Sequence, residues 1–229
     1  MPLIVEEGGW VLSIANEPEG YMEDYLDESP AVIAFFADAV EHAHTLDAGL
    51  PITVTLTGSP ILEKHPVHDD VMELLDVATY NYYPLAFNDI FALELRAPLE
   101  AYVSDDVDKL IAAAMGKQVL IQELGCPAGY ADGGLVNSTP EDQALFFRLF
   151  LDKMVNTPEL RAAFVFQIVD WSEELSALYS APPGTEEALL PTYDSLREWL
   201  ETVGLITYAD GTARPALDIV LDGIGQVRR

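Results

Sequence analysis

The sequence predicts an α/β fold built on parallel strands, and three observations carry that expectation. Five short apolar runs recur along the chain: WVLSIA from Trp10, PITVTL from Pro51, DVATYN from Asp76, QVLIQE from Gln118 and AAFVFQIV from Ala162. Most are continuous rather than alternating, the pattern of strands buried on both faces. Segments of helical periodicity separate them, so strand and helix alternate as in βαβ units with right-handed crossovers. The strand starts lie roughly 25 to 45 residues apart, the pitch of a (β/α) barrel or a doubly wound sheet.

The helices follow in chain order. Ser29-Pro30 predicts a start with Pro at the first helical position, after which Val32, Ile33, Phe36, Ala39, Val40 and Ala43 repeat at helical spacing. A shorter helix fits Val67 to Leu75. Ser104 is expected to cap a helix running to Met115, with Gly116 as its stop. Thr139-Pro140-Glu141-Asp142 opens another, carrying Leu145, Phe146, Leu149, Phe150 and Met154, and a last one fits Thr192 to Val203, ending at Gly204. No Gly-rich phosphate fingerprint follows any strand, which counts against a nucleotide-binding fold.

With 229 residues, half of them apolar, the chain reads as a single domain over residues 1–229 with enough apolar side chain to bury a core. Its 39 acidic and 11 basic residues leave a net charge of −28. Such a charge repels nucleic-acid phosphates and offers no basic patch to release their counterions. Lysine is confined to Lys64, Lys109, Lys117 and Lys153. That surface suits solubility at high salt, an acidic secreted enzyme, or simply a soluble acidic protein. No apolar run reaches the roughly eighteen residues of a transmembrane helix. No N-terminal stretch has the order of a signal peptide, so secreted and cytoplasmic settings both stay open. Cys126 stands alone, without a sequence-adjacent His to activate it, and is expected to be a buried or incidental thiol. In HPVHDD, His65 and His68 with Asp69 or Asp70 have metal-like spacing, but no third strong ligand is fixed. Neither a metal nor a cofactor is expected.

Polar residues gather at the C-terminal ends of the predicted strands: Asn16 and Glu17, Asn81 and Tyr83, Glu123, Asp170 and Trp171. In a (β/α) barrel those ends build the active-site face. Glu17 and Glu123 each end a predicted buried strand, and parallel strands bring both ends to one side of the sheet. Two carboxyl groups flanking a scissile bond are what glycoside hydrolysis requires. On spacing alone each is also compatible with an ordinary strand-end glutamate. Tyr80, Tyr82, Tyr83 and Trp171 are likewise compatible with core packing, and Asp170 with a partner in a loop or in a sugar.

The run IANEPEG resembles the Asn-Glu-Pro signature on the fourth strand of glycoside hydrolase clan A, the retaining, cellulase-like (β/α)8-barrel enzymes. VLIQELG resembles the seventh-strand segment of that clan, ATYNYYPL the sixth strand and FVFQIVDWS the eighth. The tail GLITYADGTARPAL is similar to the closing stretch of many bacterial members. The resemblance implies Glu17 as general acid/base, Glu123 as nucleophile and Asn16 as ligand of the sugar 2-hydroxyl. It implies Tyr83 as the hydroxyl that holds the nucleophile, Asn81 as a polar site position and Trp171 as a stacking floor. Tyr82 is a further candidate for stacking on a sugar face. Double displacement then asks Glu17 to carry a proton near neutrality while Glu123 stays ionised.

The same resemblance implies strands four to eight of an eight-stranded barrel, about five strand-helix units, with the first three missing. Two strand edges would then lie open, favouring self-association. The expected partner is an oligosaccharide, polysaccharide or glycoside, with no nucleic acid and no membrane. The alternatives are a truncated inactive fragment and a non-catalytic carbohydrate-binding remnant.

Overall fold

The computed structural model describes residues 10–19, 28–58, 67–87, 93–130, 134–180 and 190–227. Expectations that rest on residues before Trp10, on Gly20 or on His65 lie outside the described residues. All five apolar runs form strands: β1 (Leu12–Asn16), β2 (Ile52–Thr57), β3 (Ala78–Tyr82), β6 (Val119–Leu124) and β7 (Leu160–Val165). Between β3 and β6 lies a hairpin of β4 (Leu85–Phe87) and β5 (Leu93–Leu95). The helices are α1 (Ser29–Leu46), α2 (His68–Leu74), α3 (Leu99–Ala113), α4 (Pro140–Val155), α5 (Glu173–Ser180), α6 (Leu190–Thr202) and α7 (Pro215–Val227). The chain divides into two compact units, residues 1–82, 108–123 and 159–164, and residues 83–107, 124–158 and 165–229.

The first unit is organised by a five-stranded sheet in the order β1-β2-β3-β6-β7, with β1–β2 and β2–β3 paired in parallel. Among the described residues the strands follow chain order without reversal, so no topological switch point of the doubly wound kind occurs among them. The order is compatible with part of a (β/α) barrel. β2 and β3 are buried along nearly their whole length, as their continuous runs of Val, Ile, Leu, Thr and Tyr require. β1 is half-buried, and on β7 the ring of Phe164 is 53% exposed, so the burden of exposure falls on the two strands that end the sheet. Tyr80 and Tyr82 are fully buried. That excludes Tyr82 as a sugar-stacking surface: it is a packing residue. Phe36, Val40 and Ala43 form the buried stripe of α1 at the expected spacing. Asp76 ties that helix to the sheet, because its Oδ2 accepts from the Ile52 amide at 2.8 Å and meets His44 Nε2 at 2.9 Å.

In the second unit, α4 starts as its sequence predicts. Thr139 Oγ1 accepts from the Asp142 amide at 3.1 Å while Asp142 Oδ2 accepts from the Thr139 amide at 3.0 Å, a complete capping box. α3, by contrast, begins five residues before Ser104. The Pro98 carbonyl accepts the first helical bonds from Ala101 and Tyr102, and Glu100 supplies a negative charge to the first turn. Ser104 thus lies inside the helix, where its hydroxyl accepts from Lys153 Nζ at 3.3 Å. The last apolar run begins its strand two residues early, at Leu160, and leaves the strand after Val165. α7 was not anticipated because Gly223 and Gly225 interrupt its pattern. A Cβ at residue 223 would stand 2.5 Å from Leu151, so glycine there admits close packing of α7 on α4.

A cluster of Val136, Trp199, Leu200 and Val203 fills the core of this unit, with Tyr83, Phe166 and Trp171 against it. The rings of Phe166 and Trp199 stack at 5.4 Å, and Tyr83 meets Trp199 edge-on at 4.9 Å. Gln143, fully buried, spreads its Nε2 over the carbonyls of Cys126, Val203 and Gly204. Asp170 and Arg214 form a buried bidentate pair at 2.7 Å through both oxygens, reinforced by the Gly204 amide at 2.9 Å. Nearby, Glu201 accepts from Ser176, Tyr130 and, at 2.8 Å, Arg197 Nε. Burial pushes this carboxyl up, but the three hydrogen bonds outweigh it and hold the group below its ordinary value.

Removing one partner of a buried ion pair strands the other charge. Asp170→Ala is therefore expected to cost about 3–5 kcal/mol in urea unfolding, against about 1 kcal/mol or less for Arg197→Ala, whose pair is partly exposed. Because the folded-state pKa of Glu201 is lowered, its contribution is present above the unfolded value and lost as pH falls through the folded one. Stability measured below about pH 5 should fall less steeply in Glu201→Gln than in the parent chain.

Candidate active site

Glu17 follows directly on β1, at the carboxyl end of the strand, with a backbone φ of 51°. A side-chain-bearing residue in this left-handed region costs roughly 1–2 kcal/mol, so its surroundings must hold it there. They do so on both sides of the residue. The Glu17 amide donates to the Thr55 carbonyl at 2.8 Å, and two residues on, the buried Glu19 accepts from the Thr57 amide at 2.7 Å. The Asn-Glu-Pro-Glu segment is thereby docked on the end of β2.

A β-bulge sets which side chains meet. Ser13 aligns with Thr53 and Asn16 with Thr55, so three steps on β1 match two on β2. Without the extra residue, strand alternation would send Ser13 and Asn16 to opposite faces. With it, both join one polar cluster. Asn81 Nδ2, from the end of β3, donates to Glu17 Oε1 at 2.9 Å and to Asn16 Oδ1 at 3.2 Å. Gln122 Nε2, from β6, reaches Asn16 Oδ1 at 3.4 Å. Thr55 Oγ1 donates to Gln122 Oε1 at 2.5 Å and lies 2.8 Å from Ser13 Oγ. Asn81 is almost wholly buried, and its Oδ1 has no partner among the described residues, whereas Asn16 and Glu17 are exposed.

The structure therefore brings Asn16, Glu17 and Asn81 into direct contact. Glu123 is half-buried, next to Gln122 at the end of the same sheet. Tyr83 and Trp171 belong to the second unit. Tyr83 is held by the rings of Phe166 and Trp199. Trp171 meets Tyr179 edge-on at 5.3 Å and, with Tyr130, Tyr208 and Glu173, lines a cavity of about 390 Å³. Asp170, open in sequence between a loop and a sugar, is committed to Arg214 and Gly204. Cys126 is buried. Burial, with the charge of Asp142 added, pushes its thiol well above the ordinary value, which removes the thiolate a nucleophile needs. His68 Nδ1 is engaged at 3.0 Å with Asp69.

Thr55, Gln122, Ser13 and Glu19 were not singled out from sequence. Threonine in a strand reads as an ordinary β-former, and only the bulge register reveals that Ser13 and Thr55 meet. The proximity of Gln122 to Glu123 was the one available signal. Chemically, an exposed carboxyl with one oxygen tied to an amide, beside a second amide in Asn16, is placed to hydrogen-bond a bound molecule and exchange a proton with it.

No protein-family model and no curated protein sequence matches the chain. Solved structures do. A Lactobacillus rhamnosus beta-glucuronidase superposes with a TM-score of 0.57 at 20% identity, over 95% of this chain and 32% of its own. An uncultured Clostridium sp. beta-glucuronidase gives 0.56 at 18%, over 93% and 32%, and a Faecalibacterium prausnitzii beta-glucuronidase 0.51 at 18%, over 81% and 27%. The chain thus spans about a third of the length of the first of these proteins. At such identities the likeness is one of fold: this chain folds like a portion of known glycoside hydrolases.

Proposed function

We propose that the chain carries the catalytic half of a retaining glycoside hydrolase of the clan A type, corresponding to strands four to eight of a (β/α)8 barrel. The observation that carries this reading is Glu17, held in a strained backbone at the carboxyl end of a parallel strand with Asn81 on one of its oxygens and Asn16 beside it. The fold likeness to beta-glucuronidases supports the same class. A glycoside or an oligo- or polysaccharide is the substrate, and no cofactor is required by the reaction.

In this mechanism Glu123 attacks the anomeric carbon. The bond to the leaving oxygen breaks as the proton of Glu17 passes to that oxygen. Water then attacks the glycosyl ester while Glu17 takes its proton back, releasing the sugar and restoring Glu123. Asn16 hydrogen-bonds the sugar, Tyr83 steadies Glu123 and Trp171 offers a ring face. Asn81, whose NH2 already serves Glu17 and Asn16, acts by holding them. The half-buried β1 and the exposed Phe164 of β7 are the surfaces through which copies would associate or a complementary barrel segment would pack.

A 2-deoxy-2-fluoro glycoside with a dinitrophenolate leaving group is expected to label Glu123; a label found on any other residue refutes the assignment. Glu17→Gln is expected to lower turnover of an unactivated phenyl glycoside about 10²–10⁴-fold, and to lower that of the dinitrophenyl glycoside less, since the latter needs no proton to depart.

A further inference from the structure

We propose that Thr55 and Gln122 are positioning residues for Asn16: they turn its side-chain amide so that the NH2 group faces outward, towards a sugar hydroxyl oxygen. The inference rests on the reading of Glu17 and Asn16 as a sugar site and adds the device that orients it.

The orientations follow one another from a single hydrogen bond. Asn81 presents its NH2 to Glu17 Oε1 at 2.9 Å, an oxygen that accepts there whether the carboxyl is ionised or carries its proton on Oε2. The same nitrogen stands 3.2 Å from Asn16, which must therefore turn its Oδ1 inward to accept. Gln122 adds a second donor to that oxygen at 3.4 Å. For Gln122 to present its nitrogen there, its own oxygen must face the other way, and Thr55 Oγ1 fixes it with a donated bond of 2.5 Å. Thr55 is wholly buried in β2, with Ser13 Oγ 2.8 Å away on its other side. Both acceptor sites of Asn16 Oδ1 are then used from within the protein. What remains at the exposed surface is the Asn16 NH2, a pure donor, matched to a hydroxyl oxygen of a sugar.

Reversing the Gln122 amide would set two oxygens against each other at the Asn16 contact and remove the acceptor that Thr55 now meets in Gln122. Gln122→Glu imposes that reversal without changing shape, because a carboxylate oxygen replaces the NH2 that faces Asn16. Asn16 must then turn its NH2 inward.

The test is the 15N–1H spectrum of side-chain amides in the full chain, with the Asn16 signals assigned by their loss in Asn16→Asp. In the parent chain, methyl β-glucoside should move the Asn16 NH2 signals. In Gln122→Glu these signals should shift even without sugar, respond to the glucoside no longer, and accompany at least a tenfold weaker affinity. Thr55→Val should reproduce the effect in part, and Thr55→Ser, which keeps the hydroxyl, should restore the parent behaviour. Asn16 signals that are the same in Gln122→Glu and the parent chain would overturn the relay. If they move as expected with Gln122→Glu while no sugar perturbs them in the parent chain, the relay stands and the sugar reading falls.

Discussion

The hydrogen bond that Glu17 Oε1 accepts from Asn81 orders the side chains around it. Asn81 answers with its NH2, Asn16 with its oxygen turned inward, Gln122 with its nitrogen and Thr55 with its hydroxyl proton. Each side chain comes from the strands of one sheet or from the turn that ends β1. The chain-order sequence of parallel strands is what aligns their carboxyl ends, and the buried runs of β2 and β3 keep those ends fixed. The sheet is therefore the frame of the site, and the polar cluster is its product.

The cluster carries two local conflicts. It keeps a residue with a Cβ at φ 51° and leaves a buried carbonyl oxygen of Asn81 without a partner among the described residues. Such an oxygen costs about 1–3 kcal/mol. Local conflicts of this kind gather where function rather than stability selects the residue. In the second unit Asp170 and Arg214 close on each other, and Glu201 collects three donors. Those groups hold the unit together.

Much of this fold was legible in the sequence because burial on both faces writes itself as an unbroken apolar run. PITVTL and QVLIQE could hardly form anything but inner strands, and Thr139-Pro140-Glu141-Asp142 spelled out a capping box. What escaped had a non-local cause. α7 hides behind Gly223, whose value lies in the approach of Leu151. Ser104 looked like a cap because the sequence does not disclose that Pro98 offers its carbonyl first. At the site, Asn16, Glu17 and Asn81 were visible as polar punctuation at strand ends. Ser13, Thr55 and Gln122 were not, since a bulge in β1 decides that Ser13 and Asn16 share a face and only the sheet brings Gln122 to Thr55. Tyr82 stayed open between core packing and sugar stacking because alternation alone does not say which face a strand end buries, and the structure settles it as packing.

The central claim, that Glu17 and Glu123 act as a pair on one glycosidic bond, is tested most directly by the distance between their carboxyl groups in a crystal of the chain with a glycoside bound. A retaining mechanism predicts about 5–5.5 Å with the anomeric carbon between them. A separation of roughly 6.5–9.5 Å with a water in the gap would instead indicate inversion, and a glycoside that seats away from both carboxyls would contradict the account.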